Sequence, residues 1–172
     1  MFKDISKWVD DNREECLILL KRMIEIPSPS HEEHKVAEFI ESKMREFGYS
    51  TTKVDSLGDA MGVIKGSGDG RDFLLNGHID HVPVGDMVDP YSGKLMDGNK
   101  FGDHGEVIYG RGSCDMKGAV SAMVLAGKAL NELGINLMGD YKVAAVALEE
   151  VGGMGTKSTI VDSQFLGDIV LI

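Results

Sequence analysis

The sequence predicts an α/β protein, a three-layer sandwich built on a largely parallel sheet, and three observations predict it. An apolar run, Phe73-Leu74-Leu75, stops at Asn76-Gly77-His78-Ile79-Asp80, the pattern of a buried strand that delivers polar groups at its carboxyl end. A second apolar run, Tyr141 to Leu148, ends in the same way at Glu149 and Glu150. Between them Ala119, Val120, Ala122, Met123, Leu125, Ala126 and Leu130 recur at helical spacing. Strand, helix and strand in that order form a crossover unit, which makes the two strands parallel and brings their polar ends to one sheet edge.

The first stretch, from about Asp4 to Ile26, carries Ile5, Trp8, Val9, Cys16, Leu17, Leu19, Leu20, Met23 and Ile24 close to helical spacing and is halted by Pro27 and Pro29. One amphipathic helix is expected there, with Cys16 in the core. Ser30 has Glu33 three residues on, the signature of a capping box, and Val36, Ala37, Phe39, Ile40, Met44 and Phe47 give a second helix that Gly48 ends. His31 and His34 fall in its first turn and have no third ligand nearby, so they read as solvated helix residues.

Ser50 to Val54 and Met61 to Lys65 are β-prone, and Gly66-Ser67-Gly68-Asp69-Gly70 reads as a hairpin-like turn before the strand that ends at His78. It lacks the Lys-Ser/Thr of a phosphate loop. Residues 79–109 show no periodicity and read as a long, glycine-rich functional loop. Asp115 then stands at the start of the helix that ends near Gly134, where the helix dipole favours an ionised carboxylate. A helix from about Gly155 to Phe165 and a last strand from Asp168 to Ile172 complete the chain.

At 172 residues and 42% hydrophobic composition, one domain with a real core is expected. No apolar stretch approaches the ~20 residues of a membrane span, and Met1-Phe2-Lys3-Asp4 lacks a signal-peptide layout, so a cytoplasmic protein without a membrane partner is expected. Two cysteines, Cys16 and Cys114, are too few for a disulfide framework. With 28 acidic against 18 basic residues the formal net charge is -10, which disfavours a nucleic-acid partner by repulsion.

Three segments thus bring imidazole or oxygen donors to one sheet edge: His78 with Asp80, then Asp115, then Glu149 with Glu150. A carboxylate beside one imidazole nitrogen fixes the tautomer and leaves the other nitrogen free for a metal or a proton. One histidine with several carboxylates and no cysteine suits zinc, cobalt or manganese in a hydrolytic site.

Gly77-His78-Ile79-Asp80 with Val82-Pro83, the segment Gly110-Arg111-Gly112-Ser113-Cys114-Asp115-Met116-Lys117-Gly118, and Glu149-Glu150 with Gly152 and Gly153 resemble the three ordered motifs of a dizinc hydrolase family. That family contains carboxypeptidase G, aminoacylase, acetylornithine deacetylase and succinyl-diaminopimelate desuccinylase. The likeness spans the chain, and within the family the nearest branch is one labelled as selenium-metabolism-linked hydrolases. The resemblance implies a zinc-exopeptidase-like fold, two divalent cations (zinc, with cobalt or manganese as alternatives), and hydrolysis of amide bonds in N-acyl amino acids or small peptides. It further implies that His78 binds one cation, Asp115 bridges both and Glu150 binds the other. Asp80 would hold the His78 ring, Glu149 would be the general acid/base, and the Asp115-Met116 peptide would be cis.

Some positions depart from the family pattern. Cys114 replaces a small hydroxyl residue or alanine and reads as a small buried side chain; His81 is either a substrate contact or a loop hydrogen bond; His104 has no assigned role. In the family a further carboxylate ligand follows the strand near Asp168, a second histidine comes much later, and an inserted lid domain helps bind substrate and mediates dimers. Residues 1–172 therefore read as the amino-terminal part of a catalytic domain without its lid, with weak metal binding and little turnover expected, and with a homodimer expected for the longer form. Two rival readings stay open: a non-catalytic α/β binding module, and a related cocatalytic-zinc aminopeptidase.

Overall fold

The computed structural model describes residues 2–162 and 165–172. It contains five helices, α1 (Phe2–Asp11), α2 (Arg13–Glu25), α3 (His34–Glu46), α4 (Gly118–Glu132) and α5 (Met154–Val161), among the described residues. The strands are β1 (Thr51–Val54), β2 (Ala60–Ile64), β3 (Phe73–His78), β4 (Lys94–Asp97), β5 (Glu106–Tyr109), β6 (Tyr141–Val146) and β7 (Ile169–Leu171).

Five strands form one sheet in the order β1-β2-β6-β3-β7. The β6-β3-β7 half is parallel, with His78 beside Val146, and the β1-β2-β6 half is antiparallel. Because side chains alternate across a strand, β6 sends Tyr141, Val143 and Ala145 into a core shared with α2, α3 and α4, and Ala144 and Val146 into a smaller one closed by Phe165. The expected three layers follow.

The first predicted helix is two. Asn12 separates α1 from α2, and its side-chain amide donates to the Trp8 carbonyl, the local competition with the backbone that makes Asp and Asn poor helix-interior residues. Trp8 is buried and its indole N–H donates to Glu132 at 2.7 Å, pinning α1 to the end of α4. Cys16 is only half-buried against the core.

The predicted capping box at Ser30 does not form. α3 starts at His34, Glu33 makes no side-chain cap, and the Ser30 hydroxyl donates to Asp80 instead. His31 precedes the helix with φ +79°, and His34 faces Glu38 on the surface.

The glycine turn at 66–70 is no hairpin, because β2 and β3 lie on opposite sides of β6 and the segment crosses between them. The long loop after β3 holds structure that the sequence reading missed, an antiparallel β4–β5 hairpin with a 3-10 turn at Gly98–Phe101. α5 ends at Val161, and the part of its predicted span at residues 163–164 lies outside the described residues. No helix of the described residues is long and apolar enough to cross a membrane.

Candidate metal centre

The carboxyl ends of β3 and β6, and the turn entering α4, meet at one edge of the sheet. Glycine at residue 77 suits the close run of β3 under that turn: a Cβ there would stand 2.8 Å from the Met116 methyl, and that side chain would have to move aside. The turn, Ser113–Lys117, carries non-helical backbone at Asp115 and Met116, and the Asp115-Met116 peptide is cis, as the resemblance implies. It is anchored by Lys117, whose buried ammonium donates to the carbonyls of Met23 (2.8 Å) and Ile26 (2.9 Å) at the end of α2. Burial pulls the Lys117 pKa down to about 8.

His78 is buried at the floor. Its Nδ1 lies 3.0 Å from the main-chain oxygen of Asp80 and 3.4 Å from the Asp80 carboxylate, so Nδ1 carries the proton and the main-chain oxygen is the nearer acceptor. Nε2 is thereby aimed into the cleft, 2.9 Å from Asp115 Oδ1 and 3.9 Å from Glu149 Oε2. Burial alone would lower the His78 pKa, but the hydrogen bonds to Asp80 and Asp115 outweigh it and raise the value to about 9.

Asp80 is fully buried and uses both carboxylate oxygens. Oδ1 accepts the Glu149 N–H and Oδ2 the Glu150 N–H, each at 3.2 Å, and Oδ2 also accepts the Ser30 hydroxyl at 2.7 Å. Burial pushes its carboxyl up, yet His78, Ser30 and the two amides together hold it below the usual carboxylate range. The expected role of holding the His78 ring is thus shared with the residue's own backbone, while the carboxylate also orients the Glu149–Glu150 backbone.

His78, Asp115 and Glu150 each offer a ligand atom, and these atoms lie within 4.8 Å of one another. Burial raises the Glu150 carboxyl, the nearby His78 opposes this, and the Asp115, Asp80 and Glu149 carboxylates add to the rise. One imidazole nitrogen with carboxylate oxygens is a donor set that zinc, cobalt or manganese accepts. The five residues singled out in the sequence do gather at this sheet edge, and three of them, His78, Asp115 and Glu149, line a cleft of ≈ 540 Å³ together with Asn76 and Thr156.

His81 resolves to the loop hydrogen bond: Nδ1 faces the Val82 carbonyl at 2.8 Å, and Nε2 accepts the Ser28 N–H at 3.3 Å. Burial lowers its pKa, in keeping with a neutral ring. Cys114 is exposed, contrary to expectation, because the turn directs it outward next to Asp115. His104 is exposed in the β4–β5 connection. Sequence reasoning missed Ser28 and Ser30, which run beside residues 79–81 and buttress the floor. Its one available signal was that Pro27 and Pro29 keep that segment extended.

Peptidase family M20/M25/M40 matches residues 74–169. N-formyl-4-amino-5-aminomethyl-2-methylpyrimidine deformylase of Halalkalibacterium halodurans is 32% identical over 170 residues, covering 92% of this chain and 38% of that protein. A [LysW]-lysine/[LysW]-ornithine hydrolase of Saccharolobus islandicus is 34% identical over 139 residues, covering 81% of this chain and 34% of its own length. Human carnosine dipeptidase 1 superposes with a TM-score of 0.72 at 21% identity over 92% of this chain and 37% of that one, a likeness of fold. The chain thus spans about a third of the length of the curated relatives it matches. Matched over residues 74–169, from β3 to the first residue of β7 and across the motifs that meet at the cleft, this chain belongs to peptidase family M20/M25/M40.

Proposed function

We propose that this chain supplies cation-binding and proton-transfer groups of a metal-dependent hydrolase that cleaves amide bonds in N-acyl amino acids or small peptides. The observation that carries the reading is the meeting of His78, Asp115 and Glu150 within 4.8 Å, with the Glu149 carboxylate beside them. Membership of the family supports it, as do relatives named as a deformylase and as [LysW]-lysine/[LysW]-ornithine hydrolases.

His78 Nε2, Asp115 and Glu150 would hold the cations, with Asp115 shared between two of them. When bound, divalent cations of the zinc, cobalt or manganese kind supply Lewis acidity, making water a stronger acid and polarising a carbonyl. Asp80 keeps the His78 proton on Nδ1 and so keeps Nε2 free for ligation. Glu149 is half exposed at the cleft and accepts the proton of the attacking water, then returns it to the departing amine, a very poor leaving group without it. Glu149 and Glu150 would differ in role because Glu150 would help to hold a cation while Glu149, outside that donor set, would be left to carry the proton.

We further propose that residues 1–172 are the amino-terminal share of the catalytic domain of a cytoplasmic enzyme whose longer form is a homodimer. Zinc titration of this chain tests the ligand set: His78→Ala, Asp115→Ala and Glu150→Ala each weaken binding by about tenfold or more, and Glu149→Ala leaves it within about threefold. In the longer form Glu149→Ala abolishes hydrolysis; unchanged turnover removes Glu149 from its role. N-acetyl and N-succinyl amino acids tested against peptides with free amino termini separate a deacylase from an aminopeptidase.

A further inference from the structure

The turn that carries Glu149 and Glu150 is held by more than Asp80. Four successive backbone N–H groups point inward, and each meets a buried carboxylate. Ala147 N–H donates to Asp59 Oδ1 at 2.8 Å, Leu148 N–H to Glu33 Oε1 at 3.1 Å, and the Glu149 and Glu150 N–H groups to Asp80 at 3.2 Å. Glu33 and Asp59 are 3% and 0% exposed.

The matching carbonyls of Ala147, Leu148 and Glu149 accept the N–H groups of Gly155, Gly153 and Gly152. At Ala147, Leu148 and Glu149 both main-chain groups are thereby paired. Leu148 sits at φ +58°, a conformation that side-chain-bearing residues rarely adopt. Gly155 has no room for a side chain, since a Cβ would stand 2.4 Å from Asp59 Oδ1. Charged acceptors bind amide donors more strongly than neutral ones and hold them in a narrower geometry.

We infer that Glu33 and Asp59 are positioning residues: with Asp80 they fix the backbone from which Glu149 and Glu150 project, and so set where those carboxylates stand relative to His78. Neither reaches into the cleft, and each acts through the turn. The functional consequence rests on the hydrolase reading above; the placement itself does not.

The test compares the chain with Glu33→Ala, Glu33→Gln, Asp59→Ala and Asp59→Asn, using amide hydrogen exchange without metal and zinc titration. The amide variants keep an oxygen acceptor and the alanine variants do not. In Glu33→Ala and Asp59→Ala we expect faster exchange at residues 147–150, with β6 still protected, and zinc affinity lower by about tenfold or more. Glu33→Gln and Asp59→Asn should restore both to within about threefold. If an alanine variant does not fold, Glu33→Met, which fills the space without an acceptor, takes its place. Unchanged protection at 147–150, unchanged zinc affinity in a variant that has lost protection, or failure of the amide variants to restore either would overturn the inference. Absence of zinc binding by the unsubstituted chain overturns the ligand set proposed above for this chain; the exchange results then decide the placement on their own.

Discussion

Asp80 and Asp115 both lie within reach of the same imidazole, yet they inhabit different media. The Asp80 side chain is 0% exposed with both oxygens engaged, whereas that of Asp115 is 77% exposed and, among the described residues, hydrogen-bonds to His78 alone. The floor of the cleft is thus completed by folding, and its rim is completed by whatever positive charge it meets. A buried carboxylate surrounded by donors stabilises the fold through them, while an exposed one contributes little to stability and keeps its charge for a ligand.

The sharpest way to break this comparison is to remove each aspartate in turn. Asp80→Ala takes the acceptor from two amides and a hydroxyl, leaves the His78 ring only the main-chain oxygen, and should cost about 3–5 kcal/mol in urea unfolding of the metal-free chain. Asp115→Ala should cost less than about 1 kcal/mol in the same measurement while weakening zinc binding. Equal losses would show that floor and rim are not distinct.

Stability against pH sharpens it next. His78 rises from 6.5 to about 9 on folding, so its contribution is complete below pH 6.5 and is lost as pH rises through 9. Over that window the metal-free chain should lose on the order of 3 kcal/mol relative to His78→Gln. Lys117, lowered by burial to about 8, acts in the opposite sense above pH 8, where losing its proton relieves the burial penalty. The difference between the two chains isolates His78. A difference that does not change with pH would mean that the floor does not hold the imidazolium.

Zinc must displace that same proton. Its apparent affinity should therefore rise by up to about tenfold per pH unit from about pH 6 to about pH 8, as read by titration calorimetry. A flat profile would place the ligand nitrogen elsewhere. The smallest expected effect is at the rim: Cys114→Ser, exposed and outside the donor set, should change stability by less than about 0.5 kcal/mol.

The same division governs what could be read from the sequence. β3, β6 and α4 were legible because burial imposes an apolar pattern over five or more residues, and the polar residues ending each run marked the cleft. β4 and β5 were not legible: Lys94-Leu95-Met96-Asp97 and Glu106-Val107-Ile108-Tyr109 are short and largely solvated, so no buried face writes a period into them. Asn12 was missed as a break because Trp8 and Cys16 keep their spacing across it. Ser30 was misread because a capping box and a buried donor to Asp80 look alike until Asp80 is beside it.

By itself the sequence determined which chemical groups stand at the ends of which apolar runs, and hence that an imidazole and carboxylates would collect at one sheet edge. Only the tertiary structure decided how they are held. It put β6 between β2 and β3, shared the Glu33 carboxylate between the His31 N–H before its own helix and the distant Leu148 N–H, and spent the oxygens of Asp80 on the turn bearing Glu149 and Glu150. Periodicity reports a residue's burial through neighbours a few positions away, whereas the hydrogen bonds from Leu148, Glu149 and Glu150 join residues 69 to 115 positions apart, and such partners exist only once the sheet has brought them together.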